Sequence, residues 1–236
     1  MKKCVERMFV IFPFEEAFYK EHGVRVDFVG HPLLDELESR QRTTDSRQQK
    51  LQIALLPGSR KQEIAYLLPE YLKVVDDFPE YSFVVTGMST IGERFYRDIM
   101  GSSRAQLVFD RTYEVLSGSE AAIVTSGTAT LETALYNVPE VICYKGSWVS
   151  YFIIRALIDK SIGFICIVNL ICGKRVVEEL IQHDVNRERL AFELKRLLNP
   201  ESRKEIQHGY ELLQLKLGNA GASKKAAQLM IEYLKS

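Results

Sequence analysis

Short apolar runs alternate along the chain with segments of helical periodicity. Such runs, when bounded by turn residues, are typical of the buried strands of a parallel sheet. They predict strands at residues 8–12, 25–29, 51–56, 82–86, 106–109, 121–124 and 141–144. The segments between them predict helices at residues 14–22, 33–40, 59–77, 91–100, 112–117 and 128–136. No hairpin signal joins two strands, so the pattern predicts an α/β fold with a doubly wound parallel sheet.

The C-terminal part of the chain is dominated by helical patterns. They predict helices at residues 176–181, 187–198, 200–217 and 222–233, so a helical C-terminal tail comes after the sheet. Residues 41–50 are polar throughout, which predicts an exposed linker. The strand–helix–strand piece before this linker is therefore predicted to be separate from the rest of the chain.

The turn formed by Ser126, Gly127 and Thr128 joins a predicted strand to a predicted helix. Ser126 and Thr128 are residue types that cap a helix start, and Gly127 lets a ligand approach the backbone. Unpaired N–H groups and the helix dipole favour an anion there, so the turn predicts a phosphate site. Glu132 lies one turn further along the same helix face, well placed to accept hydrogen bonds from ribose hydroxyls. An ordinary capped turn with a solvated Glu132 explains the same residues equally well.

A second candidate phosphate site lies after the strand at residues 51–56, in the turn Pro57-Gly58-Ser59-Arg60. Ser59 followed by Gln62 is a capping-box pattern, which predicts a helix start. Arg60 offers a planar fork suited to a phosphate, while the alternative is a surface arginine in the first helical turn. Both turns lie at the carboxyl ends of predicted strands, where an open parallel sheet binds its ligand. Neither turn matches a P-loop or a dinucleotide-binding glycine fingerprint.

Charge and cysteine content bear on the expected partners, thiol state and location of the protein. Lys and Arg together equal Asp and Glu at 31 each, so no general attraction to nucleic acid is expected. The four cysteines, Cys4, Cys143, Cys166 and Cys172, are too few and too scattered for a disulfide framework. They also form no metal-binding pattern with histidines. We therefore predict reduced thiols, a cytoplasmic location, no metal ion and no nucleic-acid partner.

An aromatic and aliphatic cluster at residues 148–158 is predicted to form a helix. Charged residues interrupt the apolar stretches, so no membrane span is predicted. One hypothesis places Trp148, Tyr151 and Phe152 in a membrane interface, like the apolar face of a helix that lies on a bilayer. The alternative is a helix packed in the domain core.

Three further polar residues are candidates for a ligand site. Asn169 is the single polar residue in the apolar run at residues 165–171, where it would be costly to bury without partners. It either lies at a strand end and faces a ligand or is satisfied by the backbone, and the second interpretation is favoured. Glu179 and Gln182 stand three residues apart on one face of a predicted helix, where such pairs are usually solvated. No pair of residues is singled out by its spacing as a catalytic acid and base.

Several segments occur in a fixed order and are specific in combination. They are FVIFPFE at residues 9–15, FVGHP at 28–32, LLPGSR at 55–60, SGTATLE at 126–132, and residues 169–170 with 177–182. In this combination the chain resembles the lipid-A-disaccharide synthase family over essentially its whole length. The resemblance implies a two-domain GT-B glycosyltransferase, of which this chain holds the Rossmann-like half. It also implies inverting transfer of diacylglucosamine from UDP to diacylglucosamine 1-phosphate (lipid X) in lipid A biosynthesis, without a metal or a cofactor.

The resemblance also assigns roles to individual residues. The UDP-binding residues it implies are Gly58, Ser59, Arg60, Ser126, Gly127, Thr128 and Glu132. Among these, Arg60 would meet the diphosphate and Glu132 the ribose. The residues that it implies on the donor-sugar side are Asn169, Glu179 and Gln182.

The same resemblance implies that the catalytic base and the UDP-sugar site belong to different domains. The catalytic base is expected in a domain that precedes the FPFE segment in the family, so this chain alone is expected not to turn over. Residues 1–40 are expected to be a remnant of that domain or an interdomain segment. Residues 51–217 are expected to form the domain that binds the UDP-sugar, and residues 218–236 a C-terminal helix.

The partners that the resemblance implies are UDP-diacylglucosamine and an acyl-sugar acceptor. A peripheral position on the inner membrane and self-association through the helices at residues 200–236 are further expectations. Two other function classes stay open: another UDP-sugar transferase or epimerase of the same architecture, and a non-catalytic module that binds nucleotide sugars. Dependence on acyl chains would distinguish the first alternative, and turnover with the full acceptor would distinguish the second.

Overall fold

The computed structural model describes residues 5–41, 51–146 and 163–235. The chain divides into two compact units, a smaller one of residues 1–46 with 211–236 and a larger one of residues 47–210. The boundary at residue 210 falls inside a helix, Pro200–Leu217.

The described residues form strands and helices in the following order. The strands are β1 (Phe9–Val10), β2 (Asp27–Phe28), β3 (Gln52–Leu56), β4 (Ser82–Gly87), β5 (Gln106–Phe109), β6 (Ala121–Thr125), β7 (Glu140–Tyr144) and β8 (Glu178–Ile181). The first helices are α1 (Pro13–Glu21), α2 (Pro32–Gln41), α3 (Lys61–Leu72), α4 (Glu93–Met100) and α5 (Thr112–Ser117). After them come α6 (Thr128–Leu135), α7 (Ile167–Cys172), α8 (Arg187–Leu198), α9 (Pro200–Leu217) and α10 (Ala222–Lys235). Short 3-10 helices lie at Val75–Asp77 and Gln182–Asp184.

The larger unit is built on a six-stranded parallel sheet with the order β5-β4-β3-β6-β7-β8. Strands β3 and β6 pair in the middle, with Ala54 opposite Ala122 and Leu55 opposite Ile123. From β3 the chain adds strands towards one edge, and it then returns to β6 and adds strands towards the other edge. The direction of winding therefore reverses between β3 and β6, which is where an open α/β sheet forms its ligand crevice.

Amphipathic helices flank this sheet and contribute a large part of the core. In α3 the buried residues have a spacing of three and four, at Ile64, Leu67, Leu68 and Tyr71. Helix α8 packs against β6, β7 and α3. Its buried leucines repeat with the same period, at Leu190, Leu194 and Leu197. These stripes explain why the helical patterns of the sequence become helices packed on the sheet.

In the smaller unit, β1 pairs in parallel with β2, with Phe9 opposite Asp27 and Val10 opposite Phe28. Helix α10 contacts α2 and is capped by the carboxylate of Asp35 in α2. This carboxylate accepts the backbone N–H groups of Gly221, Ala222 and Ser223. Desolvation opposes ionisation of Asp35, but these hydrogen bonds outweigh it and lower its pKa. A charged side chain therefore holds the start of the last helix to α2.

The fold class and nearly all the predicted elements are confirmed. The parallel sheet, the flanking helices and the helical C-terminal tail are present. Cys143, Cys166 and Cys172 are free and buried. The prediction of a helix at residues 176–181 is wrong, because Glu178–Ile181 is strand β8 paired with β7. Helix α3 includes Pro69 and ends at Leu72, short of the predicted end at residue 77.

Candidate functional site

A cavity of about 500 Å³ opens at the carboxyl ends of β3, β4 and β6 in the larger unit. It therefore lies at the reversal point between β3 and β6, where the ligand crevice is expected. All the residues predicted to contact a nucleotide line it: Gly58, Ser59, Arg60, Ser126, Gly127, Thr128 and Glu132. The fold thus brings two turns together that are far apart in the sequence.

The turn before α6 presents an open helix start to the cavity. Gly127 is the residue before the first helical turn and has no side chain to cap it, so the predicted capping by Ser126 or Thr128 is wrong. The hydroxyl of Thr130 donates instead to the carbonyl of Gly127, at 2.7 Å. A Cβ on Gly127 would meet no atom within 4 Å, so the space above its backbone is empty. Open backbone N–H groups beside such a space form an arrangement suited to an anion.

Two polar contacts hold this turn in place. The Ser126 N–H donates to the carbonyl of Cys143 on β7 at 2.9 Å, and the hydroxyls of Thr125 and Tyr71 lie 3.1 Å apart. Burial raises the pKa of Tyr71 well above its usual value and that of Cys143 to about 12. Both groups are therefore neutral and support the turn without taking part in acid–base chemistry.

The turn before α3 differs from the prediction in its capping. The helix is capped at Arg60 instead of Ser59, and the partner is Glu63 instead of Gln62. The Glu63 carboxylate accepts the backbone N–H of Arg60 at 3.3 Å and a guanidinium N–H of the same residue at 2.9 Å. Gly58 has a φ of +105°, and a Cβ there would lie 2.8 Å from Glu63 Oε2. Glycine is therefore required at residue 58 for the carboxylate to fold back onto the turn.

Several residues that line the cavity have no counterpart in the sequence prediction. They are Leu56, Glu63, Thr86, Gly87, Met88, Thr112, Thr125 and Ala129. Thr86 and Gly87 end β4, so the rule that ligands bind at strand ends would have identified them. Glu63 stands at the third position of α3, where a Glu or Gln is expected to bond back to the helix cap. Ser59 and Gln62 also fit a capping box, so the sequence pattern did not single out Glu63.

The cavity combines one cation with two carboxylates. Arg60 is largely exposed, with 80% of its side chain accessible, and it reaches the cavity paired with Glu63. Glu132 is half-buried and lines the cavity one turn above Thr128. Anion-binding N–H groups and a guanidinium at one end, with a hydrogen-bond acceptor nearby, suit a ligand that carries both phosphate and hydroxyl groups.

Asn169, Glu179 and Gln182 do not line this cavity. Asn169 lies in α7 and is completely buried, so the strand-end interpretation is wrong and the satisfied-core interpretation is confirmed. Its Nδ2 donates to the Val177 carbonyl at 2.9 Å, and its Oδ1 accepts the N–H groups of Val176 and Val177. These bonds fix the loop that leads into β8.

Glu179 and Gln182 also have specific partners, so the prediction that they are solvated on one helix face is wrong. The Glu179 carboxylate accepts the N–H groups of Ile165 and Cys166, at 2.9 and 3.1 Å, and the Asn169 amide at 2.8 Å. Gln182 Nε2 donates to the Gly146 carbonyl at 3.1 Å. Glu179 and Asn169 thus anchor α7 to β8, and a role on the donor-sugar side stays a prediction.

The membrane and metal predictions concern other parts of the chain. Trp148, Tyr151 and Phe152 lie outside the described residues. Among the residues that the structure does describe, no helix combines the length and the apolar character needed to span a bilayer. No group of three or more potential metal ligands is found within the same ranges.

The strand order and the cavity at the reversal point define a Rossmann-like α/β domain of the kind found in GT-B glycosyltransferases. Among solved structures, S. aureus MnaA in complex with UDP has a TM-score of 0.64 at 13% identity, covering 96% of this chain and 59% of that one. A UDP-N-acetylglucosamine 2-epimerase has a TM-score of 0.59 at 13% identity, covering 97% of this chain and 58% of that one. At such identities the likeness shows the fold alone.

Sequence similarity identifies the family. The Lipid-A-disaccharide synthetase family model matches residues 1–233, and the chain belongs to that family. Lipid-A-disaccharide synthase of Syntrophus aciditrophicus is 40% identical over 249 aligned positions, covering 98% of this chain and 63% of the relative. The synthase of Geobacter sulfurreducens is 36% identical with the same coverage. The chain therefore spans a little under two thirds of these relatives' length.

Proposed function

We propose that the chain is the part of a lipid-A-disaccharide synthase that binds the donor nucleotide. The reaction would transfer diacylglucosamine from UDP to diacylglucosamine 1-phosphate with inversion at the anomeric carbon. Family membership supports the reaction. The observation that carries the nucleotide role is the cavity in which the open start of α6, Arg60 and Glu132 meet.

Each part of the cavity would contact one part of UDP. The diphosphate would lie at the N–H groups of Gly127 and Thr128, with the Arg60 guanidinium as its cation and Gly58, Ser59 and Ser126 beside it. Glu132, one helical turn further on, would accept hydrogen bonds from the ribose hydroxyls. The cavity of about 500 Å³ has the size of a small-molecule site.

The chemistry would use these contacts on the leaving-group side. A base removes the proton of the acceptor hydroxyl while the oxygen attacks the anomeric carbon, and the bond from that carbon to the diphosphate oxygen breaks. The negative charge that develops on UDP would be stabilised by Arg60 and by the helix start. We expect this stabilisation to need no metal or other cofactor. The base would come from the part of the family's fold that this chain does not span.

The acylated substrates suggest where the enzyme works. We expect a cytoplasmic protein that acts peripherally at the inner membrane, where UDP-diacylglucosamine and its acceptor are available. Met230, Ile231 and Leu234 on α10 are exposed, which supports the predicted self-association through the C-terminal helices.

Isothermal titration calorimetry with UDP and with uridine tests the nucleotide role. Arg60→Ala should weaken UDP binding by about 10- to 100-fold, the range of a hydrogen bond to a charged group, while uridine binding changes little. Arg94→Ala is the matched control, because Arg94 is 95% exposed on α4 and pairs with Asp98 away from the cavity. Equal losses for UDP and uridine in Arg60→Ala would contradict the phosphate role.

A further inference from the structure

A carboxylate stands inside the cavity that we assign to the diphosphate. Glu63 lines the cavity together with Gly58, Ser59 and Arg60, and its side chain is 28% exposed. Its position is fixed, because it accepts both the backbone N–H and a guanidinium N–H of Arg60. Gly58 leaves room for this position, since a Cβ there would lie 2.8 Å from Glu63 Oε2. A diphosphate that uses Arg60 must therefore lie close to a fixed negative charge.

Stabilisation of the fold does not require this charge. Glutamine at the third helical position satisfies the helix cap as well as glutamate does. The partner Arg60 is 80% exposed, and ion pairs at such exposure contribute little to stability. The negative charge of Glu63 is therefore free to act on the ligand.

The donor and the product of the proposed reaction differ in charge at this place. A UDP-sugar is a diphosphate diester with two negative charges. Free UDP ends in a phosphate monoester, whose second pKa of about 6 gives it a third charge at neutral pH. This extra charge appears on the terminal phosphate when the bond to the sugar breaks.

We infer that Glu63 makes the cavity discriminate by charge, so that it holds the dianionic UDP-sugar in preference to trianionic UDP. The inference rests on the proposed function. Glu63 repels the additional charge of UDP and also occupies one guanidinium N–H of Arg60 that the product would otherwise use. The residue therefore favours release of the nucleotide product and its exchange for a new donor. Glu63 is a specificity-determining residue in this scheme.

The test compares UDP with UDP-N-acetylglucosamine, a soluble UDP-sugar, by calorimetry at low ionic strength. Glu63→Gln keeps the hydrogen bonds of the helix cap and removes the charge. Its UDP affinity should increase, and by about threefold more than its UDP-N-acetylglucosamine affinity, as expected for one unit charge at several ångströms in a water-like medium. High salt should reduce this difference.

Glu93→Gln is the matched control, since Glu93 lies in the first turn of the neighbouring helix α4 and pairs with Arg97. It should leave both affinities unchanged. If a folded Glu63→Gln variant binds UDP as wild type does, or more weakly, the inference is overturned. This holds whether or not its affinity for UDP-N-acetylglucosamine changes. If neither ligand binds the wild-type chain, the proposed function fails first. Alternatively, the wild-type chain binds UDP while Glu63→Gln shows the same ratio of UDP affinity to UDP-N-acetylglucosamine affinity as wild type. That result would overturn the charge discrimination and leave the proposed function intact.

Discussion

Two glycines in the candidate site perform different tasks, although both stand at the end of a strand. Gly58 has a φ of +105°, and a Cβ there would lie 2.8 Å from Glu63 Oε2, so glycine is needed to build the turn. Gly127 has an extended backbone, with a φ of 161°, and its missing Cβ leaves open space. The first glycine serves the fold, and the second leaves room for a ligand.

Alanine should therefore affect ligand binding at residue 127 and the stability of the fold at residue 58. Gly127→Ala should leave the melting temperature unchanged and weaken UDP by about tenfold, because the methyl group enters the space proposed for the diphosphate. Gly58→Ala should lower the free energy of unfolding by about 1–3 kcal/mol, the cost of a strained backbone conformation. Differential scanning fluorimetry and calorimetry on the two variants would show this. A destabilised Gly127→Ala variant with normal UDP affinity would contradict the assignment.

A third residue, Glu140, is informative because it is completely buried at the start of β7. Its Oε2 atom has no hydrogen-bond partner among the described residues, and Tyr210 donates to Oε1 at 3.5 Å. Burial raises the pKa of Glu140 well above its usual value, so the folded state favours the protonated carboxyl. In the unfolded chain it ionises near its ordinary pKa of 4.5.

The raised pKa fixes the direction of a pH effect on stability. The folded state binds more protons than the unfolded one between the two pKa values, so the stabilisation is fully present below the unfolded pKa. It is lost as the pH rises towards and through the folded pKa, by up to about 1.4 kcal/mol per pH unit for one proton. Glu140→Gln should remove this slope in urea unfolding measured from pH 5 to 8, while Glu188→Gln, at the exposed start of α8, should keep it. Parallel pH profiles of wild type and Glu140→Gln would show that Glu140 does not titrate in this way.

At the scale of elements, β8 shows why a local pattern can mislead. Val177 and Leu180 are buried and three residues apart, which is the spacing of a helix face. The segment is nevertheless a strand, with Ile142 of β7 opposite Glu179. Glu179 is needed there to receive the N–H groups before α7, and Asn169 secures the same loop. These contacts join segments that are separate in sequence, so periodicity alone could not reveal them.

Removing the Glu179 carboxylate should therefore destabilise the larger unit. Glu179→Ala leaves the donors of Ile165, Cys166 and Asn169 without this acceptor, and we expect a loss of about 1–3 kcal/mol in the free energy of unfolding. Glu178→Ala on the same strand is the control, because its ion pairs are with Arg175 and Arg189, which are 62% and 45% exposed. Urea denaturation would distinguish the two variants. Equal stability of Glu179→Ala and Glu178→Ala would contradict the anchoring role.

At the scale of the whole molecule, the sequence predicted the sheet class and the two turns that line the cavity, but not which strands lie side by side. Apolar runs and turn residues are local, so they identify β3, β6 and the residues after them. The pairing of β3 with β6 depends on how the intervening strands add to one edge of the sheet, and no local pattern determines that order. Thr86, Gly87 and Met88 lie beside the two turns because β4 pairs with β3, and the position of Glu63 depends on the fold of its own turn.

The proposed function requires that this cavity bind UDP through both turns, and a crystal structure of the chain with UDP would show where the nucleotide lies. We predict that the diphosphate contacts the N–H groups at the start of α6 and the guanidinium of Arg60, with the ribose beside Glu132. Nucleotide found elsewhere on the chain, or bound in the cavity with its diphosphate away from both turns, would contradict the account.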